Sequence, residues 1–186
     1  MLAYVFWHWK KNAIPATEYE RRQREFHERL CASPPKGFQY SFSVGLRAAP
    51  WTVDLAYEDW YLVEDFGALG LLNEGAVSGE LRKYHEAAAN AAEGGTGGLY
   101  RLRHGSIVHE PKMAYWFAKP AGMSYTDCFD ELLPAVDDTH GALWMRQLTL
   151  GPAKEFCVHA RETVSLPSHL NAIEMPLRKI WDGSME

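Results

Sequence analysis

The sequence predicts an α+β fold of two tandem β-α-β-β-α-β units, the second shortened, whose antiparallel sheets face each other. Three observations predict it. The run Ala3-Tyr4-Val5-Phe6 reappears as Ala114-Tyr115-Trp116-Phe117. Each copy is followed by a turn-rich stretch, a candidate helix and an alternating strand. The length of 186 residues is enough for one large domain or two small ones to bury a core. The expected division is 1–104 for the first unit, 105–112 for a linker and 113–186 for the second.

In the first unit, Leu2 to Trp9 is rich in aromatic and β-branched residues and reads as strand one. Thr17 and Glu20 have capping-box spacing, and Tyr19, Gln23, Phe26 and Leu30 then make one helical stripe. The run Ser33-Pro34-Pro35-Lys36-Gly37 stops that helix. Phe38, Tyr40, Phe42 and Val44 alternate with small polar residues, the period of a half-buried strand two. Tyr57 to Phe66 supplies strand three, Ala68 to Leu72 a helical turn, and Glu80 to Ala92 a second helix. Gly94, Gly95, Gly97 and Gly98 read as a flexible turn before strand four, Leu99 to Arg103.

The second unit opens with Met113 to Ala118 as strand one. Ser124 and Asp127 repeat the capping spacing, and Tyr125, Phe129, Leu132 and Val136 form the stripe. Pro134 lies inside this pattern, where it should kink or end the helix. Leu143 to Leu150 is the next strand and Glu155 to Val164 the third. Too little chain remains for a full second helix, so Ser168 to Met175 is expected as a short helical piece and Leu177 to Trp181 as the closing strand.

Composition narrows the partners. A net charge of −5 and a pI near 5.9 argue against nucleic acid, which calls for a basic stripe to neutralise phosphates. The apolar N-terminal run is too short to span a bilayer and carries its charges on the wrong side for a signal peptide, so no membrane partner is expected. Cys31, Cys128 and Cys157 have no CxxC spacing, the usage of a reducing compartment, which points to the cytoplasm. Seven Trp and an aromatic content of 13% are high, and such residues must line a core, an interface or a ligand cavity. Walker, GxGxxG, HExxH and GxSxG motifs are absent.

The β-α-β-β-α-β order and its shortened echo resemble the ferredoxin-like repeat of the dimeric α+β barrel superfamily, which includes antibiotic-biosynthesis monooxygenase-like, EthD-like and chlorite dismutase-like proteins. The resemblance covers nearly the whole chain and rests on pattern, with no residue motif diagnostic of one family. It implies two four-stranded sheets enclosing a cavity, often by homodimerisation; a tandem copy makes the same pair within one chain, and a homodimer stays open.

On strand one, Tyr4, Phe6 and His8 share a face and Ala3, Val5, Trp7 and Trp9 the other. The smaller, aliphatic face is expected against the helices, leaving Tyr4, Phe6 and His8, with Tyr115 and Phe117 of the second copy, facing the cavity. His8, whose imidazole is the side chain suited to act as acid, base or metal ligand, and Arg101 are the catalytic candidates. The ordinary alternative for His8 is a hydrogen bond to a neighbour. Tyr4, Phe6, Arg103, Tyr115, Phe117, Arg146 and His159 are the ligand-binding candidates, with Arg101 and Arg103 of strand four as partners for an anionic group or for Asp59, Glu64 or Asp65. Chlorite dismutase-like relatives use a histidine of the second repeat for haem, which raises His159 as a ligand without a flanking motif to support it.

The resemblance implies a small-molecule-binding protein, a cofactor-independent oxygenase or isomerase acting on an aromatic or polyketide-like compound, with no metal and no cofactor. The alternatives are a non-catalytic ligand-binding or assembly protein, and a haem-binding relative of chlorite dismutase.

Overall fold

The computed structural model describes residues 1–149 and 151–183. The elements run β1 (Leu2–Lys10), α1 (Ala16–Ala32), β2 (Phe38–Arg47), β3 (Leu55–Val63), α2 (Phe66–Ala76), α3 (Arg82–Ala89), β4 (Ala92–Gly105), β5 (Met113–Phe117), α4 (Tyr125–Asp138), β6 (Ala142–Arg146), β7 (Phe156–Ala160), a 3₁₀ turn (Ser168–Leu170), β8 (Ile173–Pro176) and β9 (Arg178–Asp182). Leu150, the expected end of the sixth strand, and residues 184–186 lie outside the described residues.

The strands form one antiparallel sheet in the order β8-β5-β7-β6-β4-β1-β3-β2-β9, nearly closed into a barrel. Each half keeps its own order of β4-β1-β3-β2 or β8-β5-β7-β6. The halves join edge to edge, because β4 pairs with β1 along its first part and with β6 along its second. At the other seam β8 pairs with β5 and β9 with β2, with Leu177 alone between them. The two expected sheets are therefore one curled sheet, and this is the α+β barrel predicted.

The barrel interior is packed, not hollow. Trp7, Trp60, Trp116, Trp144 and Tyr100 fill it together with Ala3, Val5 and Phe42, all at most 2% exposed. Trp60 contributes from one half and meets Trp144 and Trp116 of the other at 5.2 and 6.2 Å between ring centroids. Burial of rings this large is the main source of stability where the halves meet.

The face expectation is reversed. Ala3, Val5 and Trp7 point into the barrel, while Tyr4 packs outward beneath the helices beside Phe26 and Tyr61. The second half has the same orientation: Ala114 and Trp116 point inward, Tyr115 and Phe117 outward against α4. Size is the physical reason. The helices pack on the sheet with room to spare, whereas the curled sheet needs indole-sized side chains to fill its inside.

The glycine run is strand, not turn. A Cβ at Gly95 would lie 2.4 Å from the Phe6 ring and one at Gly97 2.9 Å from the Tyr4 ring. These glycines let the aromatic side chains of β1 lie flat across β4.

Helix α1 buries Tyr19, Gln23, Phe26 and Leu30 as its stripe predicts, and His27 besides. The capping box does not form: Pro15 is the N-cap, and Glu20 binds Arg178 on β9. In α4 the Ser124 hydroxyl accepts from Asp127 N–H as expected, but the helix continues through Pro134 to Asp138. Burial of Cys128, Leu132 and Val136 offsets the hydrogen bond that proline removes. Among the described residues no helix is long and apolar enough to cross a membrane.

Candidate active site beneath the helices

A cavity of about 660 Å³ lies between the outer face of the first half's sheet and helices α1, α2 and α3. Tyr4, Phe6, Tyr19, Asp59 and Tyr61 line its inner part. That volume suits a ligand of several fused rings, since small-molecule sites commonly span ~300–1,000 Å³. Tyr4, Phe6 and Tyr61 stack side by side along the sheet, with 6.2 Å between the centroids of Tyr4 and each neighbour. They give the cavity a flat aromatic wall. Helix α2 forms the opposite side, where a Cβ built on Gly70 would meet no atom within 4 Å.

The polar centre is Asp59, in the middle of β3 and 1% exposed. Its Oδ2 accepts from the Tyr61 hydroxyl at 3.0 Å. His27 Nε2 is 3.5 Å from the same oxygen, and His8 Nε2 is 3.1 Å away, within ion-pair reach but not aligned as a hydrogen bond. Oδ1 has no hydrogen-bond partner. His8 Nδ1 meets the Tyr19 hydroxyl at 2.6 Å, and His27 Nδ1 meets Ser41 Oγ at 2.9 Å. With Nε2 of each ring turned to a carboxylate, the protons belong on Nε2, so that Nδ1 accepts from Tyr19 and from Ser41.

The charges follow from this arrangement. Burial alone would push the Asp59 carboxyl up, yet the combined pull of His8 and His27 holds it well below the usual carboxylate range. Burial first, and then the Asp59 charge, raises the phenols of Tyr4, Tyr19 and Tyr61. Near neutral pH the site therefore has one ionised acceptor among three phenols that keep their protons. Tyr19, His8 and Asp59 form a chain of hydroxyl, imidazole and carboxylate, an arrangement that can accept a proton at Tyr19 Oη while Tyr19 passes its own to His8.

The sequence candidates are distributed as follows. Tyr4 and Phe6 line the cavity, and His8 lies one step behind it, hydrogen-bonded to Tyr19. Arg101 shares the outward face of β4 with Leu99 and Arg103, outside the residues that line the cavity. Arg103 is exposed with its guanidinium over the Phe129 ring of α4. Neither arginine joins the expected acidic partners: Asp59 binds the histidines, Glu64 accepts from Gln39, and Asp65 caps α2. Tyr115 and Phe117 pack beneath α4, where the Tyr115 hydroxyl accepts from Val164 N–H at 2.8 Å. Arg146 donates to the Ala153 carbonyl at 2.8 Å. These residues do not converge with His8.

His159 points into the barrel, its ring centroid 4.5 Å from Trp60 and 5.5 Å from Phe42. Burial holds its imidazole down at about 3. A haem on His159 does not fit, because aromatic rings already occupy the space in front of it and the cavity lies on the other face of the sheet. Among the described residues no group of three or more His, Cys, Asp or Glu could hold a metal ion.

Sequence reasoning missed Asp59 as the centre, along with Tyr19, His27 and Tyr61. Two adjacent acids, Glu58 and Asp59, within the aromatic strand Tyr57-Glu58-Asp59-Trp60-Tyr61 were the available signal, because buried carboxylates are rare without a purpose. Glu58 faces the other way. It accepts from the Trp7 and Trp60 indoles at 2.5 and 2.6 Å inside the barrel.

A barrel of this strand order, with its aromatic cavity under the helices, defines the chain as a dimeric α+β barrel fold. No protein-family model matches the chain and no curated protein matches it in sequence. Among solved structures it is similar to a provisionally named chlorite dismutase at 11% identity, over 96% of this chain and 95% of the other, with a TM-score of 0.51. It is also similar to a provisionally named monooxygenase from Lactobacillus acidophilus NCFM at 9% identity, over 97% and 95%, with a TM-score of 0.50. At these identities the likeness is one of fold.

Proposed function

We propose that the chain binds an aromatic or polyketide-like compound in the sheet–helix cavity and moves a proton on it, as a cofactor-independent oxygenase or isomerase does in its first step. One observation carries this reading: Tyr19, which lines the cavity, is hydrogen-bonded to His8, which in turn sits against the buried Asp59. Tyr19 Oη would take a proton from an acidic C–H or O–H of the ligand as Tyr19 transfers its own to His8 Nδ1. The imidazolium so formed is stabilised by Asp59. Tyr4 Oη, still protonated, would donate to oxygen charge that develops on the ligand. The stacked wall of Tyr4, Phe6 and Tyr61 would hold the rings flat. The three free thiols, Cys31, Cys128 and Cys157, support the reducing, cytoplasmic setting expected from their spacing.

The test uses anthrone, whose methylene is a carbon acid between aromatic rings. The wild-type protein should accelerate deuterium exchange at that methylene, and Tyr19→Phe and His8→Ala should each lower the rate at least a hundredfold while both remain folded. Tight binding with no exchange in the wild type would favour the ligand-binding reading and remove the catalytic one.

A further inference from the structure

Resting on the reading that this cavity is the binding site, we propose that it selects uncharged aromatic ligands by a hydroxyl donated to Asp59 Oδ1 and rejects their carboxylated counterparts. The two oxygens of Asp59 are unequally used. Oδ2 meets Tyr61, His8 and His27, whereas Oδ1 is buried and has no hydrogen-bond partner. Leaving a buried carboxylate oxygen unpaired is unfavourable, so a ligand hydroxyl that reaches it restores a charge-assisted hydrogen bond.

The rest of the lining fixes the sign of the charge it tolerates. Among the described residues that line the cavity there is no lysine or arginine, and the one imidazole, His85, packs edge-on to Phe26 with ring centroids 5.6 Å apart. A ligand carboxylate would lose its water, meet no guanidinium or ammonium, and face the Asp59 carboxylate across low-dielectric surroundings. A cation is not favoured either. His8 and His27 already crowd the Oδ2 side of Asp59, so the carboxylate has close cationic-capable partners before any ligand arrives. What remains is an acceptor for a neutral O–H against a wall of rings. The hydroxyl would anchor the ligand on Asp59 while a second acidic position meets Tyr19.

Three probes on one ring system test this: 2-naphthol, 2-naphthoate and 2-naphthylmethylammonium, titrated near pH 7 by fluorescence against the intact protein. The proposal predicts that 2-naphthol binds at least tenfold more tightly than 2-naphthoate. Asp59→Asn should reduce that ratio to threefold or less, with the fold checked by circular dichroism. Should Asp59→Asn not fold, Gly70→Leu serves instead, because it narrows the cavity opposite the wall and should weaken all three probes together. Equal binding of naphthol and naphthoate to the wild type would overturn the charge selection while leaving the cavity as a site. Tenfold tighter binding of the ammonium than of the naphthol would overturn it as well, in favour of a cation site. Failure of every probe to bind would instead remove the underlying reading of the cavity.

Discussion

Glu58 and Asp59 are neighbours in sequence and opposites in environment. A strand sends successive side chains to opposite faces, so one acid enters the aromatic barrel and the other the sheet–helix cavity. Glu58 is fully buried, and although the Trp60 and Trp7 indoles pull the other way, burial pushes its carboxyl up to about 7. Its folded value lies above its unfolded one, so the stability it contributes is fully present below about pH 4.5 and is lost as pH rises through about 7. A shift of this size is worth about 3 kcal/mol. Urea unfolding should therefore show the wild type losing that stability between about pH 4.5 and 7 relative to Glu58→Gln; parallel curves for the two would show that Glu58 is not the group responsible. Asp59 has the reverse sign. Its folded value is held low, so its stability is present above the ordinary carboxylate range and is lost on acidification. Asp59→Asn should destabilise the protein by about 3 kcal/mol near pH 7, because two imidazoles lose the charge they face. A change below 0.5 kcal/mol would show that the pairing contributes little.

At the level of elements, the cavity depends on small residues opposite large ones. Gly95 and Gly97 of β4 give way to Phe6 and Tyr4 of β1, so Gly95→Val should displace the Phe6 ring and lower stability by about 2 kcal/mol. Its thermal unfolding midpoint reports this, and an unchanged midpoint would mean the strand shifts freely. Helix α2 presents Gly70 toward the cavity with open space around it. Gly70→Leu should keep or raise stability, since leucine is the better helix former, while weakening ligand binding at least tenfold. Unaltered binding would place the ligand elsewhere. The same elements show what the sequence made legible. Sequence alone starts strand four of the first half after the glycines, because a glycine cluster signals a turn unless the facing strand's aromatic residues are known to need the space. The stripe of α1 was legible because burial on a helix repeats with the helical period. The direction of β1 was not, because both of its faces are apolar and only the curvature of the whole sheet decides which side takes the indoles.

For the whole molecule, the pairing pattern repeats across its two halves: β4 bridges β1 and β6, as the β8–β9 run bridges β5 and β2. We propose that 1–104 and 113–186 are copies of one unit joined by 105–112. The echo of Ala3-Tyr4-Val5-Phe6 in Ala114-Tyr115-Trp116-Phe117 supports this, as does the shared inward and outward direction of the two runs. Strand periodicity was enough to predict the β-α-β-β-α-β order, and the resemblance of that order to the dimeric α+β barrel superfamily implied the barrel. Neither was enough to locate the cavity, since that follows from two long-range facts: indoles from both halves fill the barrel, and α1, α2 and α3 pack over the first half with space beneath them. A crystal structure of the protein with 2-naphthol tests this placement most directly. The account predicts the naphthol ring against Tyr4 and Phe6 beneath α2, its hydroxyl within hydrogen-bond distance of Asp59 Oδ1; a ligand inside the barrel beside Trp60 and His159 would contradict it.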